Sequence, residues 1–151
     1  MITGTGLFTP SATISNTELV ASLTIAVERW NADHADQIGR GELAPRATPD
    51  EEFIVKASGI KSRYVMDKVG VLDPDRLRPR LELRAEDRLG IQAEMSMPAI
   101  HQALAMAGRA PADVDAIIVG CSNLQRAYPA VSIEIQNELG AGGWAYDMNV
   151  A

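Results

Sequence analysis

Gly143-Trp144-Ala145-Tyr146-Asp147-Met148-Asn149-Val150-Ala151 is the stretch on which the reading of this chain turns. Trp144, Tyr146, Met148 and Val150 alternate with Ala145, Asp147, Asn149 and Ala151, directly after a Gly140-Ala141-Gly142-Gly143 loop. Bulky apolar side chains at period two, leaving a glycine loop, predict a β-strand packed on one face. The sequence breaks off inside that strand, so a domain that continues past Ala151 is expected.

Working back from the strand, Tyr128-Pro129 opens a helix in which Val131, Ile135 and Leu139 stack four apart, with Gly140 as its stop. Before it, Ala116-Ile117-Ile118-Val119-Gly120 is an unbroken apolar run bounded by turn signals. Such a run predicts a strand covered on both faces, as in a central parallel sheet. Cys121-Ser122-Asn123 follows the end of that strand, where open α/β sheets bind their ligands. A long helix is expected over about 86–107, with Leu89, Ala93, Met97, Ile100 and Leu104 on one face, Pro98 as a kink and Gly108 as the stop. His101 sits beside that face and reads as structural. Strand, helices, strand, helix, strand is an α/β order.

The first half reads less sharply. Residues 1–8 look like a short core strand, with Gly4-Thr5-Gly6 permitting close backbone approach; as a phosphate loop the two glycines are a weak signal. Thr9 to Ile14 reads as a loop. Ser15 and Glu18 have capping-box spacing, so a helix starts near Asn16 and runs towards Gly39 or Gly41, with Leu19, Leu23, Val27 and Trp30 on its apolar face. His34, in its polar second half, reads as a solvated side chain. Thr48 is the expected cap of the next helix and Pro49 its first residue, followed by the acids Asp50-Glu51-Glu52 and then Phe53-Ile54-Val55, ending at Ser58-Gly59. Lys61 and Arg63 then stand in an extended piece, as candidates for a ligand phosphate or, as spacing alone favours, surface ion-pair partners. Residues 66–85 read as an exposed excursion whose arginines are interleaved with acids.

Composition excludes several classes. With 46% hydrophobic and 23% charged residues the chain fits an ordinary globular protein, and no apolar run approaches the ~20 residues of a membrane span. The first residues lack the basic flank and apolar core of a signal peptide, so a cytoplasmic location is expected, with no membrane partner. A net charge of −6 argues against nucleic-acid binding. The single cysteine, Cys121, allows no internal disulfide, and one cysteine with His34 and His101 at scattered positions makes no metal motif.

Ala107-Gly108, Asp115-Ala116-Ile117-Ile118-Val119, Ala127-Tyr128-Pro129, Ile135-Gln136 with Leu139-Gly140, and Ala145 to Ala151 together resemble β-ketoacyl-acyl-carrier-protein synthase III, a thiolase-fold condensing enzyme. Gly4-Thr5-Gly6, Asn16 with Glu18-Leu19, and Asp50-Glu51, Phe53-Ile54-Val55 and Ser58-Gly59-Ile60-Lys61 with Arg63 agree with it, in order. The resemblance implies an α/β fold: residues 1–151 as the N-terminal part of a thiolase-like domain, layered α/β/α with a mixed central sheet, and an exposed insertion at 66–85. It implies a fatty-acid-synthesis acyltransferase that condenses an acyl-CoA with malonyl-acyl carrier protein by decarboxylative Claisen chemistry, as a homodimer, with no cofactor beyond the CoA thioester substrate. The nucleophilic cysteine is expected immediately after Ala151, and the family's His and Asn further on, so no catalytic residue is assigned within 1–151 and the remainder of the enzyme is the first partner.

The same resemblance implies supporting roles. Thr48 and Phe53 fall at the CoA mouth, Phe53 where the family often has an adenine-stacking tryptophan, with Lys61 and Arg63 as the basic candidates beside them. Ser122 matches a small hydroxylic residue of the acyl pocket, and Tyr128 an aromatic inserted into the partner subunit's acyl tunnel. Ala57 departs from the pattern, because an arginine that commonly clamps the adenine is missing there. The segments 24–47 and 66–85 are longer than the family's usual connections and are expected to reshape the tunnel for a medium-chain, octanoyl-like donor. Two other readings stand beside this one. Cys121 could be the nucleophile of another acyltransferase or hydrolase, although no helix starts at it to depress its pKa, and a buried or pocket-lining cysteine is the favoured role. Alternatively the chain is a non-catalytic synthase-like half serving dimerisation or carrier-protein docking.

Overall fold

The computed structural model describes residues 1–85, 87–124 and 126–149, with Asn149 described by its backbone alone. The chain divides into two compact units, one of residues 9–82 and one of residues 1–8 together with 83–151.

In the 9–82 unit, β1 (Ala12–Ser15) pairs antiparallel with β2 (Ser62–Val65), Ile14 opposite Arg63. The stretch expected as a loop therefore holds a strand, and Ile14 is fully buried. The alternation around Ile14 spans only four residues between polar neighbours, too few to show a period. The capping box forms as expected: the Glu18 carboxylate accepts from the Ser15 N–H at 2.9 Å, and the Ser15 hydroxyl accepts from the Glu18 N–H at 3.1 Å. It starts α1 (Asn16–Asp33). The helix is interrupted at His34 before α2 (Ala35–Gly39). His34 is not a free surface side chain: its ring stacks on Trp30 at 4.1 Å between centroids and its Nδ1 lies 2.8 Å from the Trp30 carbonyl. The Arg46 guanidinium also lies over the Trp30 ring, at 3.9 Å, and the Asn31 amide bonds both the N–H and the C=O of Arg46 at 2.9 Å. These contacts tie the 40–50 connection to α1.

The next helix, α3 (Glu51–Ser58), is capped by Asp50 rather than Thr48; the Asp50 carboxylate accepts from the Glu52 N–H at 2.9 Å. A carboxylate also complements the helix dipole, which a threonine hydroxyl does not, so the start moves two residues on. Gly59, at φ 71°, ends it in the left-handed conformation expected of a glycine stop. The excursion 66–85 is more ordered than expected. It holds α4 (Lys68–Leu72), and the Asp67 carboxylate closes it by accepting from the N–H groups of Arg80 at 2.6 Å and Gly70 at 3.1 Å. Its interleaved charges are spent on its own geometry and on α1: Arg80 pairs with Asp73, and Arg29 with Asp75, each at 2.7 Å.

In the other unit, β3 (Ala116–Cys121) and β4 (Trp144–Asn149) are parallel and in register from Ala116–Trp144 to Cys121–Asn149. Two helices, α5 (Ile91–Ala107) and α6 (Val131–Leu139), pack on one face of this pair. Ala93, Val131 and Ile135 are buried there, against Leu89, Met97, Ile100, Ile117, Val119 and Cys121. α5 begins at Ile91, later than expected, and continues through Pro98 to Gly108; Glu86 lies outside the described residues. His101 is exposed instead of structural.

The two faces of the strand pair differ. Ile117, Val119, Cys121, Ala145 and Asp147 lie towards the helices, while Ile118, Trp144, Tyr146 and Met148 are exposed on the other side. Trp144, 55% exposed, stacks on Tyr146 at 5.4 Å. The strand itself, its period and its parallel pairing are as read, although Val150 and Ala151 lie outside the described residues. Residues 1–8 carry no ladder pairing among the described residues, but their glycines do allow close approach. A Cβ on Gly6 would overlap the Ala99 backbone, and one on Gly4 the backbone of Ala103 and Ala107. The segment thus lies against the alanine ridge of α5, four residues apart along one helix face.

Candidate functional site

The loop 122–130, between the C-terminal end of β3 and the start of α6, carries Ser122 and Tyr128. Cys121 is half-buried at the end of β3 and lines a cleft of about 390 Å³ with Gly6, Leu7, Phe8, Gln92, Met95 and Ser96 among others. No helix begins at Cys121, so the helix dipole that would activate a thiolate is absent from it. A pocket-lining role fits this position. Ser122 is exposed and is not among the residues lining that cleft. Tyr128 is 87% exposed.

What holds this loop was not apparent in the sequence. Neither helix beside it supplies its own cap: Gly90 before α5 has no side chain, and Ala130 before α6 has no hydrogen-bonding group. The orphan N–H groups are met from elsewhere in the unit. Asp147 of β4 accepts from the N–H groups of Val131 and Ser132, each at 2.8 Å. Burial pushes the Asp147 carboxyl up, but the N–H groups of Ser132 and Val131 outweigh it and hold the group below the usual carboxylate range. Glu134 of α6 in turn accepts from the Gly90 N–H at 2.7 Å. Its other oxygen takes the Arg126 guanidinium, with Nε at 2.7 Å, and Arg126 also donates to the Arg88 carbonyl at 2.5 Å. Gln92 Nε2 donates to the Asn123 carbonyl at 2.7 Å. The signal was present in Glu134, an acid among the apolar positions of a buried helix, and in Asp147, an acid between Tyr146 and Met148 in a strand.

The remaining candidates belong to the 9–82 unit. Thr48 is exposed, two residues before the cap of α3, and Phe53, 66% exposed, stands in its first turns. Lys61 and Arg63 follow the other end of that helix, which at 1.5 Å per residue is roughly 12 Å away. Lys61 is exposed; its carbonyl accepts from the Asn16 N–H at 3.1 Å. Arg63 is half-buried, and its Nη2 donates to Asn16 Oδ1 at 2.9 Å. Asn16, 1% exposed, completes the knot by donating to the Ile60 carbonyl at 2.7 Å. The Asn16 contact is a structural employment for Arg63, while Thr48, Phe53 and Lys61 present open surface. Among the described residues no group of three or more His, Cys, Asp or Glu is placed to hold a metal ion, and no helix is long and apolar enough to cross a membrane.

Comparison with known proteins finds chains similar to this one. The chain is 52% identical over 130 residues to a β-ketodecanoyl-acyl-carrier-protein synthase of Pseudomonas aeruginosa, covering 86% of this chain and 37% of that protein. It is 32% identical over 131 residues to a β-ketoacyl-acyl-carrier-protein synthase III of Mesorhizobium japonicum, covering 86% and 32%. Among solved structures it superposes on the 3-oxoacyl-acyl-carrier-protein synthase III of Aquifex aeolicus with a TM-score of 0.60 at 21% identity, over 97% of this chain and 33% of that one. It superposes comparably on Xanthomonas campestris OleA, with a TM-score of 0.61 at 13% identity, over 97% and 32%. The chain therefore spans about a third of the length of the proteins it matches. No family model matches it.

Proposed function

We propose, from a chain that is β-ketoacyl-acyl-carrier-protein synthase III-like in sequence and thiolase-like in fold, that the protein carrying it condenses a medium-chain acyl-CoA with malonyl-acyl carrier protein. The observation that carries the reading is the 52% identity over 130 residues to a β-ketodecanoyl synthase. A β-ketodecanoyl product arises when a two-carbon unit from malonyl is added to an octanoyl group, so octanoyl-CoA is the proposed donor. In this reading a cysteine outside residues 1–151 takes the acyl group, and a helix N-terminus lowers its pKa. The carbanion released by decarboxylation of malonyl then attacks the acyl-enzyme, and the developing oxyanion is met by oriented donors.

The residues of this chain serve binding and shape. Phe53 and Thr48 flank the CoA adenine and its mouth, and Lys61 meets the phosphates. Arg63 is the second basic candidate, and its bond to Asn16 leaves it the weaker one. Ser122 lines the acyl pocket and Tyr128 reaches into the tunnel of a partner subunit, which makes the enzyme a homodimer. It works in the cytoplasm, where its soluble substrates are. Cys121 packs in its cleft and takes no part in acyl transfer.

The test is turnover by the full-length protein. Octanoyl-CoA and malonyl-acyl carrier protein should yield 3-oxodecanoyl-acyl carrier protein by mass spectrometry, at a higher kcat/KM than acetyl-CoA supports. Faster use of acetyl-CoA would remove the medium-chain assignment. A folded dimer that makes no ketoacyl product from any acyl-CoA would replace the enzyme with a docking or dimerisation module.

A further inference from the structure

Tyr128 combines two properties that do not usually coincide. It is 87% exposed, yet the backbone on both sides of it is fixed. Two residues earlier, Arg126 is clamped between Glu134 and the Arg88 carbonyl. Three residues later, the Val131 N–H is held by Asp147. The start of the loop is tied again at Asn123 by Gln92.

Glu134 is the common point of this arrangement. It is 7% exposed, and both its oxygens are used: one on the Gly90 N–H at the start of α5, one on Arg126 of the loop. A buried carboxylate is costly unless it is fully paired. An apolar residue would serve the helix packing at this position without that cost, as Ile135 does beside it. The carboxylate joins the first turn of α5 to the segment that carries Tyr128.

We propose that Glu134 is a positioning residue, which through Arg126 sets where Tyr128 is presented and thereby the acyl-chain length the enzyme accepts. The inference rests on the reading that Tyr128 enters an acyl tunnel. Glu134 itself touches no substrate. An aromatic that closes a tunnel discriminates by how far it reaches, and a shift of one carbon length changes which acyl group fits. One methylene in an apolar pocket supports discrimination on the order of tenfold.

The experiment is a chain-length profile of the full-length enzyme: kcat/KM for hexanoyl-, octanoyl- and decanoyl-CoA with malonyl-acyl carrier protein. The variants are Glu134→Gln, Arg126→Gln, Tyr128→Ala and the Tyr128→Ala/Glu134→Gln double. Arg126→Gln releases the loop while Glu134 keeps its bond to Gly90, so it reads the proposal even if Glu134→Gln does not fold. Release is expected to change the preference between neighbouring chain lengths by roughly tenfold. That change should vanish in the Tyr128→Ala background. If Tyr128→Ala alters the profile and neither release variant does, the positioning role is overturned while the tunnel reading stands. If release alters the profile equally with and without Tyr128, Glu134 acts by another route and the proposal is overturned. If Tyr128→Ala leaves the profile unchanged, the tunnel reading fails, and the proposal with it.

Discussion

Asp147→Asn is the substitution that most directly tests how this fold holds its helices. Asp147 accepts from two N–H groups at the start of α6, each at 2.8 Å, and Ala130 provides no cap of its own. Loss of a helix N-cap costs about 0.5–2 kcal/mol, and loss of a negative charge at the N-terminus about 0.3–1 kcal/mol more. Asparagine keeps one accepting oxygen, so the expected cost is about 1.5 kcal/mol, with Asp147→Ala nearer the summed upper values. The assay is urea unfolding at pH 7, repeated down to pH 3. The Asp147 carboxyl is held below its ordinary value in the fold. Its contribution is therefore complete above the unfolded value of about 3.9, and is lost as pH falls through the folded value. The gap between parent and variant should hold from pH 7 to about 5 and close below about 4. A variant as stable as its parent at pH 7, or a gap that stays constant to pH 3, would refute the capping argument.

Four further outcomes are expected. Gly6→Ala would force a methyl into the Ala99 backbone; backbone cannot yield as a side chain can, so a loss of at least about 2–3 kcal/mol in denaturant unfolding is expected. Asn16→Ala strands the Ile60 carbonyl and Arg63 in a buried place, and should cost about 1–3 kcal/mol by the same measurement. Phe53→Ala removes an exposed ring and should leave stability within about 0.5 kcal/mol. If the ring stacks on adenine, the same substitution raises KM for acyl-CoA roughly three- to tenfold. Glu18 should titrate by NMR at about 2, because the Lys68 ammonium at 2.5 Å and the Ser15 donors favour its charged form; Lys68→Ala should raise that value.

Local signals were legible wherever donor and acceptor lie within one turn. The Ser15–Glu18 box and the left-handed glycines at 59, 108 and 140 stand where the spacing placed them. The start of α3 was misplaced by two residues because Thr48 and Asp50 are both competent caps, and only the charge separates them. The strand at Ala12–Ser15 was missed because its evidence lies in its partner fifty residues on, not in its own four residues. The polar neighbours of His34 suggest a solvated side chain, while the aromatic four residues before it, Trp30, stacks on its ring. Of the site candidates, Thr48, Phe53 and Tyr128 are exposed, and Arg63 donates to Asn16.

The last strand shows why period is easier to read than direction. Trp144, Tyr146 and Met148 do share one face of β4, but the helices take the other, the face of Ala145 and Asp147. Volume alone would put the large residues inwards. Polar satisfaction favours the observed side: α6 starts after a residue with no side-chain acceptor, and its free N–H groups need one. Asp147 supplies it only if β4 turns its small and acidic side to the helix, with Ala145 leaving room beneath. The orientation of the strand thus meets the hydrogen-bond requirement at the start of α6. The same logic passes from α6 to α5 through Glu134, which caps Gly90. Two helices without caps of their own are fixed by acids from the element that follows each in the chain of contacts, β4 for α6 and α6 for α5. The loop carrying Tyr128 is held by both acids, by Asp147 at Val131 just past its end and by Glu134 through its own Arg126.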